Sequence, residues 1–238
     1  MTFISQVRLD ERHDTRRYPF TLPAVRHLLA HPLELTSPVT FLTGDNGAGK
    51  STLVEAIAVA AGFNAEGGTQ SFRFATKATE SSLGDHLTLR WGVRKPRTGF
   101  FLRAESFYNV ITEIDRIGGG IHASYGGRSL HERSHGESFI DLMTHRFGPK
   151  GLYVLDEPEA ALSVKGCLTV LRRMHELVEA GSQFLVATHS PILLAAPGAT
   201  ILEITDTIDE VSYDTAEPVA LTRNFLGEPG RFLRHLLE

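Results

Sequence analysis

Gly44-Asp45-Asn46-Gly47-Ala48-Gly49-Lys50-Ser51 carries the spacing G-x-x-x-x-G-K-S. That pattern suits the cradling of a phosphate chain. Glycines let successive backbone N–H groups converge on phosphate oxygens, where bulkier side chains would block the approach. The helix that follows aims its positive end at the same anion. Lys50 can then reach the outer phosphates, and the Ser51 hydroxyl can ligate magnesium. Asn46, Gly47, Ala48, Gly49, Lys50, Ser51 and Thr52 are therefore the expected nucleotide contacts, with Lys50 also assisting catalysis.

Two further groups end apolar runs. Leu152-Tyr153-Val154-Leu155 leads into Asp156-Glu157-Pro158-Glu159. A carboxylate at such a point can hold Mg²⁺, which suits Asp156. The next, Glu157, is placed to orient or deprotonate an attacking water. Gln183-Phe184-Leu185-Val186-Ala187 ends in Thr188-His189-Ser190-Pro191, where His189 can donate a hydrogen bond to a terminal phosphate. His131-Glu132-Arg133-Ser134-His135 also matches H-E-x-x-H, a zinc-protease pattern. That chemistry needs a stable helix, and Gly136 interrupts here at once.

The elements that must position these residues follow from periodicity. Ile4–Leu9 alternates as a half-buried strand does, and Val39–Thr43 suits a strand buried on both faces. Thr52–Ala61 suits a buried helix stopped by Gly62. Leu87–Trp91 and Phe100–Arg103 suggest two antiparallel strands around the turn Arg94–Gly99. Phe107, Val110, Ile111, Ile114 and Ile117 recur at helical spacing, and Gly118–Gly120 and Gly126–Gly127 bracket a loop. A helix is expected from about Glu137 to Phe147 with Phe139, Leu142 and Met143 inward. Strands at Gly151–Leu155, Gln183–Ala187 and Thr200–Ile204, with a helix over about Val164–Glu179, complete the series. Such alternation implies an α/β fold: a mostly parallel sheet flanked by helices, with right-handed crossovers. Ligands of these sheets bind at the carboxyl ends of the strands.

The 238 residues, 42% hydrophobic and 22% charged, are enough for one α/β domain and exclude wholesale disorder. A single cysteine, Cys167, excludes a disulfide framework and a cysteine zinc site. No apolar stretch is long enough to span a bilayer, and the first residues lack a secretory core. A cytoplasmic protein is expected. The net charge of −4 argues against a chain coated for nucleic acid, though a local basic patch remains open.

Together these motifs resemble the nucleotide-binding domain of ABC-type ATPases, a branch of the P-loop NTPases. The resemblance covers most of the chain and implies ATP and Mg²⁺ as cofactors, with hydrolysis of ATP. It implies a single domain over 1–238, with a core lobe of about 1–62 and 148–238 and an inserted β/helical lobe of about 63–147. Ser134-His135-Gly136-Glu137-Ser138 stands where the family has its L-S-G-G-Q signature. By that resemblance two copies sandwich two ATP molecules, Ser134, Gly136 and Glu137 meet nucleotide in trans, and Ala161-Leu162-Ser163 crosses the interface. His135 and Glu137 depart from the commoner glycine and glutamine. Glu105 stands where the family carries a metal-facing glutamine, and Tyr18 is the candidate to stack on adenine. Thr43–Thr52 and Pro158–Ser163 are closer to the soluble recombination and chromosome-maintenance branch, which implies a DNA or protein partner and no membrane insertion of this chain. The alternatives are an ATP-binding subunit of a transporter whose membrane part is another chain, and a slow nucleotide-operated switch.

Overall fold

The computed structural model describes residues 2–10, 16–69, 82–107, 109–112 and 134–237. Three parallel runs with no solvent-facing side, Val39–Gly44 (β3), Gly151–Asp156 (β6) and Gln183–Ala187 (β7), bury every residue. Continuous apolar runs of this kind need cover on both faces. They form the centre of a six-stranded sheet ordered β5-β6-β7-β3-β8-β9, with β5 at Thr98–Arg103, β8 at Thr200–Ile204 and β9 at Ile208–Val211. Strands β5 to β8 run parallel, and β9 returns antiparallel along β8.

Strand periodicity splits the side chains between two cores. Leu152 and Val154 of β6 face one core with Leu53, Val54 and Ile57 of α2 (Lys50–Ala60). Tyr153 and Leu155 face the other, with Phe139, Leu142 and Met143 of α3 (His135–Arg146) and Val170, Met174 and Leu177 of α4 (Val164–Glu179). The first face is closed by α1 (Pro23–Ala30) and a small antiparallel sheet, β2-β1-β4, made of Leu33–Glu34, Ile4–Leu9 and Leu87–Trp91. Gln183 ties the two sheets: its Oε1 accepts from the N–H groups of Phe3 and Ile4 at 2.7 and 2.9 Å, and its Nε2 donates to the Ile4 carbonyl at 2.8 Å. Two C-terminal helices follow, α5 (Glu217–Gly227) and α6 (Pro229–Leu237).

The α/β class and most strand positions agree with the sequence reading, but the expected hairpin does not form. Strand β4 pairs antiparallel with β1 (Val7 opposite Leu89), while β5 joins the main sheet parallel to β6 (Leu102 beside Leu155). Leu87, Leu89 and Trp91 alternate and so accept one exposed face. Phe100, Phe101 and Leu102 are each no more than 1% exposed and need two covered faces. The segment 63–147 therefore supplies one strand to each sheet. Helix α2 starts at Lys50, before the expected Thr52, because Gly49 caps it in a left-handed conformation. Phe107, Val110 and Ile111 are buried as expected. Ile114, Ile117, the glycine loop at 118–127, and His131 and Glu132 of the H-E-x-x-H match lie outside the described residues.

Candidate functional site

The phosphate loop leaves β3 at Gly44, where φ is +133° and a Cβ would lie 2.2 Å from the Ile204 carbonyl oxygen. Gly47 and Gly49 are left-handed as well, at φ +85° and +96°. The loop delivers Lys50 into the first turn of α2, where it is only 4% exposed. Its Nζ donates to the carbonyls of Gly44 and Asp45, both at 2.8 Å. Burial pulls the Lys50 pKa down, against the opposing pull of Glu157 and Asp156. A cleft of about 260 Å³ opens here between Asn46, Gly47, Thr52, Tyr18 and Glu157. Tyr18 is 67% exposed, and its hydroxyl lies 3.4 Å from Thr52 Oγ1.

Strand β6 ends beside β7, one strand away from the phosphate loop of β3, and its last residue is Asp156. Burial pushes the Asp156 carboxyl up to about 6, with the Ser51 hydroxyl and the Arg103 guanidinium pulling the other way. Its Oδ1 is buried with no hydrogen-bond partner. A hydroxyl, an ionisable carboxylate and an unpartnered oxygen are the oxygen donors Mg²⁺ prefers, the rest coming from water and phosphate. The residues present therefore fit the ion. Among the described residues no cluster of three or more histidine, cysteine or acidic side chains could hold another metal.

The sequence reading missed Arg103. It ends β5 in register with Asp156 and places its Nε 3.5 Å from Asp156 Oδ2. Its other nitrogens pair with Glu55 at 2.6 Å and Glu105 at 3.3 Å. The charged group beside Asp156 is thus the guanidinium, and Glu105, 86% exposed, stands on the rim. No local signal in the sequence marks Arg103, because its partner Asp156 lies on a neighbouring strand. Glu105 still lines the second cleft, of about 670 Å³, together with Ser51, Asp156, Glu157 and His135.

Glu157 follows at φ 48°, ψ 52°, a left-handed conformation for a residue with a side chain. Its N–H donates to the Ala187 carbonyl at 2.9 Å, which pins it to the end of β7. Strain of this kind gathers at functional positions. His189 lies just beyond β7; its N–H donates to Glu159 Oε1 at 2.6 Å. Its ring Nε2 has no hydrogen-bond partner and lies 3.9 Å from Glu157 Oε1.

The signature-like segment is built differently. Ser134 caps α3 in a capping box with Glu137. The Ser134 N–H and hydroxyl both donate to Glu137 Oε2, at 3.0 and 2.7 Å, and the Glu137 N–H donates to Ser134 Oγ at 3.4 Å. Gly136 packs where a Cβ would be 3.0 Å from the Ala161 carbonyl oxygen. Ala161-Leu162-Ser163 joins the short helix Pro158–Ala161 to α4, whose Gly166 N–H donates to Ser163 Oγ at 3.1 Å.

A family model described as an AAA domain matches residues 25–98, from α1 through the phosphate loop to the start of β5. Among solved structures, the SMC head domain from Thermotoga maritima is similar at 16% identity over 88% of this chain and 98% of that one, with a TM-score of 0.45. An inward-facing conformation of a metal-chelate type ABC transporter is similar at 15% identity over 77% of this chain and 75% of that one, with a TM-score of 0.46. No curated protein matches the sequence. The fold is mixed α/β, with a mainly parallel sheet flanked by helices.

Proposed function

We propose that this chain binds ATP and hydrolyses it to ADP and phosphate, with two copies closing over two nucleotides. The observation that carries this reading is the convergence of Lys50, Ser51, Asp156, Glu157 and His189 on adjoining clefts at the C-terminal strand ends. In it, Lys50 Nζ exchanges the carbonyls of Gly44 and Asp45 for phosphate oxygens. Ser51 and Asp156 would hold Mg²⁺, which when bound offsets the negative charge of the phosphates. Glu157 accepts the proton of a water attacking the terminal phosphorus in line, as the bond to the bridging oxygen breaks. The His189 ring donates to the terminal phosphate, and Arg103 fixes the Asp156 carboxylate. Ser134 and Gly136 of the second copy approach from the far side; Ser134 Oγ must then turn away from Glu137. A DNA or protein partner in a soluble setting is the proposed use of the cycle. Among the described residues no helix is long and apolar enough to cross a membrane.

Glu157→Gln tests the reading. ATP binding by calorimetry should persist, a nucleotide-bound dimer should accumulate, and turnover should fall at least ~100-fold. Hydrolysis at the parent rate would remove Glu157 from its role.

A further inference from the structure

The opposite end of the six-stranded sheet carries another cleft, of about 580 Å³. Arg94, Lys95 and Arg97 of the β4–β5 turn line it with Lys150, which precedes β6, and no carboxylate does. All four cations are exposed, and none takes part in an ion pair among the described residues. In a chain of net charge −4 this is a local reversal of sign. Like charges around one concavity repel, and an anion seated among them relieves that repulsion.

The scaffold beneath them joins three turns that are distant in sequence. The Arg97 N–H donates to the Lys150 carbonyl at 2.9 Å, and the Lys150 N–H to the Ala180 carbonyl at 3.3 Å. Ser182 Oγ accepts from the Gly151 N–H at 3.1 Å and donates to the Gly148 carbonyl at 3.3 Å. Lys150 is held at φ 57°; among the described residues only Glu157, at the nucleotide cleft, is another non-glycine with positive φ. Such conformations persist where their surroundings enforce them, and binding sites are where they gather. Lys95 Nζ rests 3.6 Å from the centroid of the Trp91 ring, which directs its stem.

We propose that this cleft binds one sugar–phosphate strand of a nucleic acid. Cations on separate exposed stems suit a line of phosphates, whereas a single small anion would be ringed by buried donors. A bilayer would meet a convex surface with free aromatic anchors, and here the surface is concave and Lys95 covers Trp91. Strands β5, β6 and β7 begin beside this cleft and end at Arg103, Asp156 and Ala187, about 13 to 17 Å away by strand rise. The inference rests on the DNA-partner half of the proposed function and not on hydrolysis, so its failure would leave the ATPase reading intact.

The test is fluorescence anisotropy of the full chain with labelled single-stranded and duplex DNA. Four neutralised phosphates predict a log–log salt slope of about −2.8 for a single strand and about −3.6 for a duplex. Between ~50 and ~200 mM salt, affinity should then fall about 50-fold or about 150-fold respectively. The triple variant Arg94→Gln, Arg97→Gln, Lys150→Gln keeps the main-chain bonds and should cut the slope to about a quarter, with DNA-free ATP turnover unchanged. An unaltered slope in that variant, or binding indifferent to salt, would overturn the proposal. Capture by phosphatidylserine vesicles without binding to either DNA would overturn it too.

Discussion

The strand-end cluster and the start of α3 line a common cleft but are held in opposite ways. Lys50, Asp156 and His189 are positioned by parallel ladders between segments far apart in the chain. Ser134 and Glu137 are positioned by each other. The strand ends carry unmet demands: a buried amine resting on loop carbonyls, a carboxyl pushed up to about 6 by burial, and an unpaired imidazole nitrogen. The helix start has met its demands locally. Unmet polar demand inside a rigid frame marks where a ligand is expected, because a bound anion or cation repays the desolvation already imposed.

Changes at the strand ends should accordingly have the larger effects. Lys50→Ala removes charge-assisted contacts to phosphate and should weaken ATP binding by at least ~100-fold in calorimetry. Parent-like affinity would take Lys50 out of the phosphate site. Asp156 offers a test on stability. Its folded pKa of about 6 lies above the ordinary aspartate value, chiefly through burial, with Ser51 and Arg103 opposing. The folded chain therefore binds more protons between about pH 4 and 6, and stability falls as pH rises through that window. Asp156→Asn should stabilise the chain free of nucleotide and magnesium by about 3 kcal/mol near neutral pH, and by little near pH 4, in thermal melts. A lower Tm for the variant at neutral pH would contradict the burial penalty. The smallest effect is expected at the helix start. Glu137→Gln keeps the capping box and removes one negative charge, so ATP-dependent dimerisation in sedimentation should strengthen about 2- to 5-fold. Weaker dimerisation would mean that this carboxylate does not face nucleotide.

Much of this arrangement was legible in the residues. Strands β3, β6, β7 and β8 and helix α4 announce themselves through continuous apolar runs and helical spacing. The loop Gly44–Ser51 carries a local geometry that its glycines alone permit. The failures were non-local or lacked a pattern. Phe100–Arg103 reads as one arm of a hairpin because proximity in sequence favours hairpins, yet its three-residue apolar run needs two covered faces. Arg103 carries no local pattern because its meaning lies in the strand beside it. The last strand and the two C-terminal helices were not foreseen: α6 buries no residue, and α5 buries only Pro218 and Val219.

The chain's own letters determined which side chains stand at the ends of apolar runs, since burial and loop stereochemistry act over a few residues. Which strands lie side by side was decided only by the assembled protein. Pairing depends on how the apolar area of the whole chain is shared between two cores, a sum no short window contains. Strand order set Arg103 against Asp156 and slotted β7 between β3 and β6. It likewise brought three separate turns together around the basic cleft.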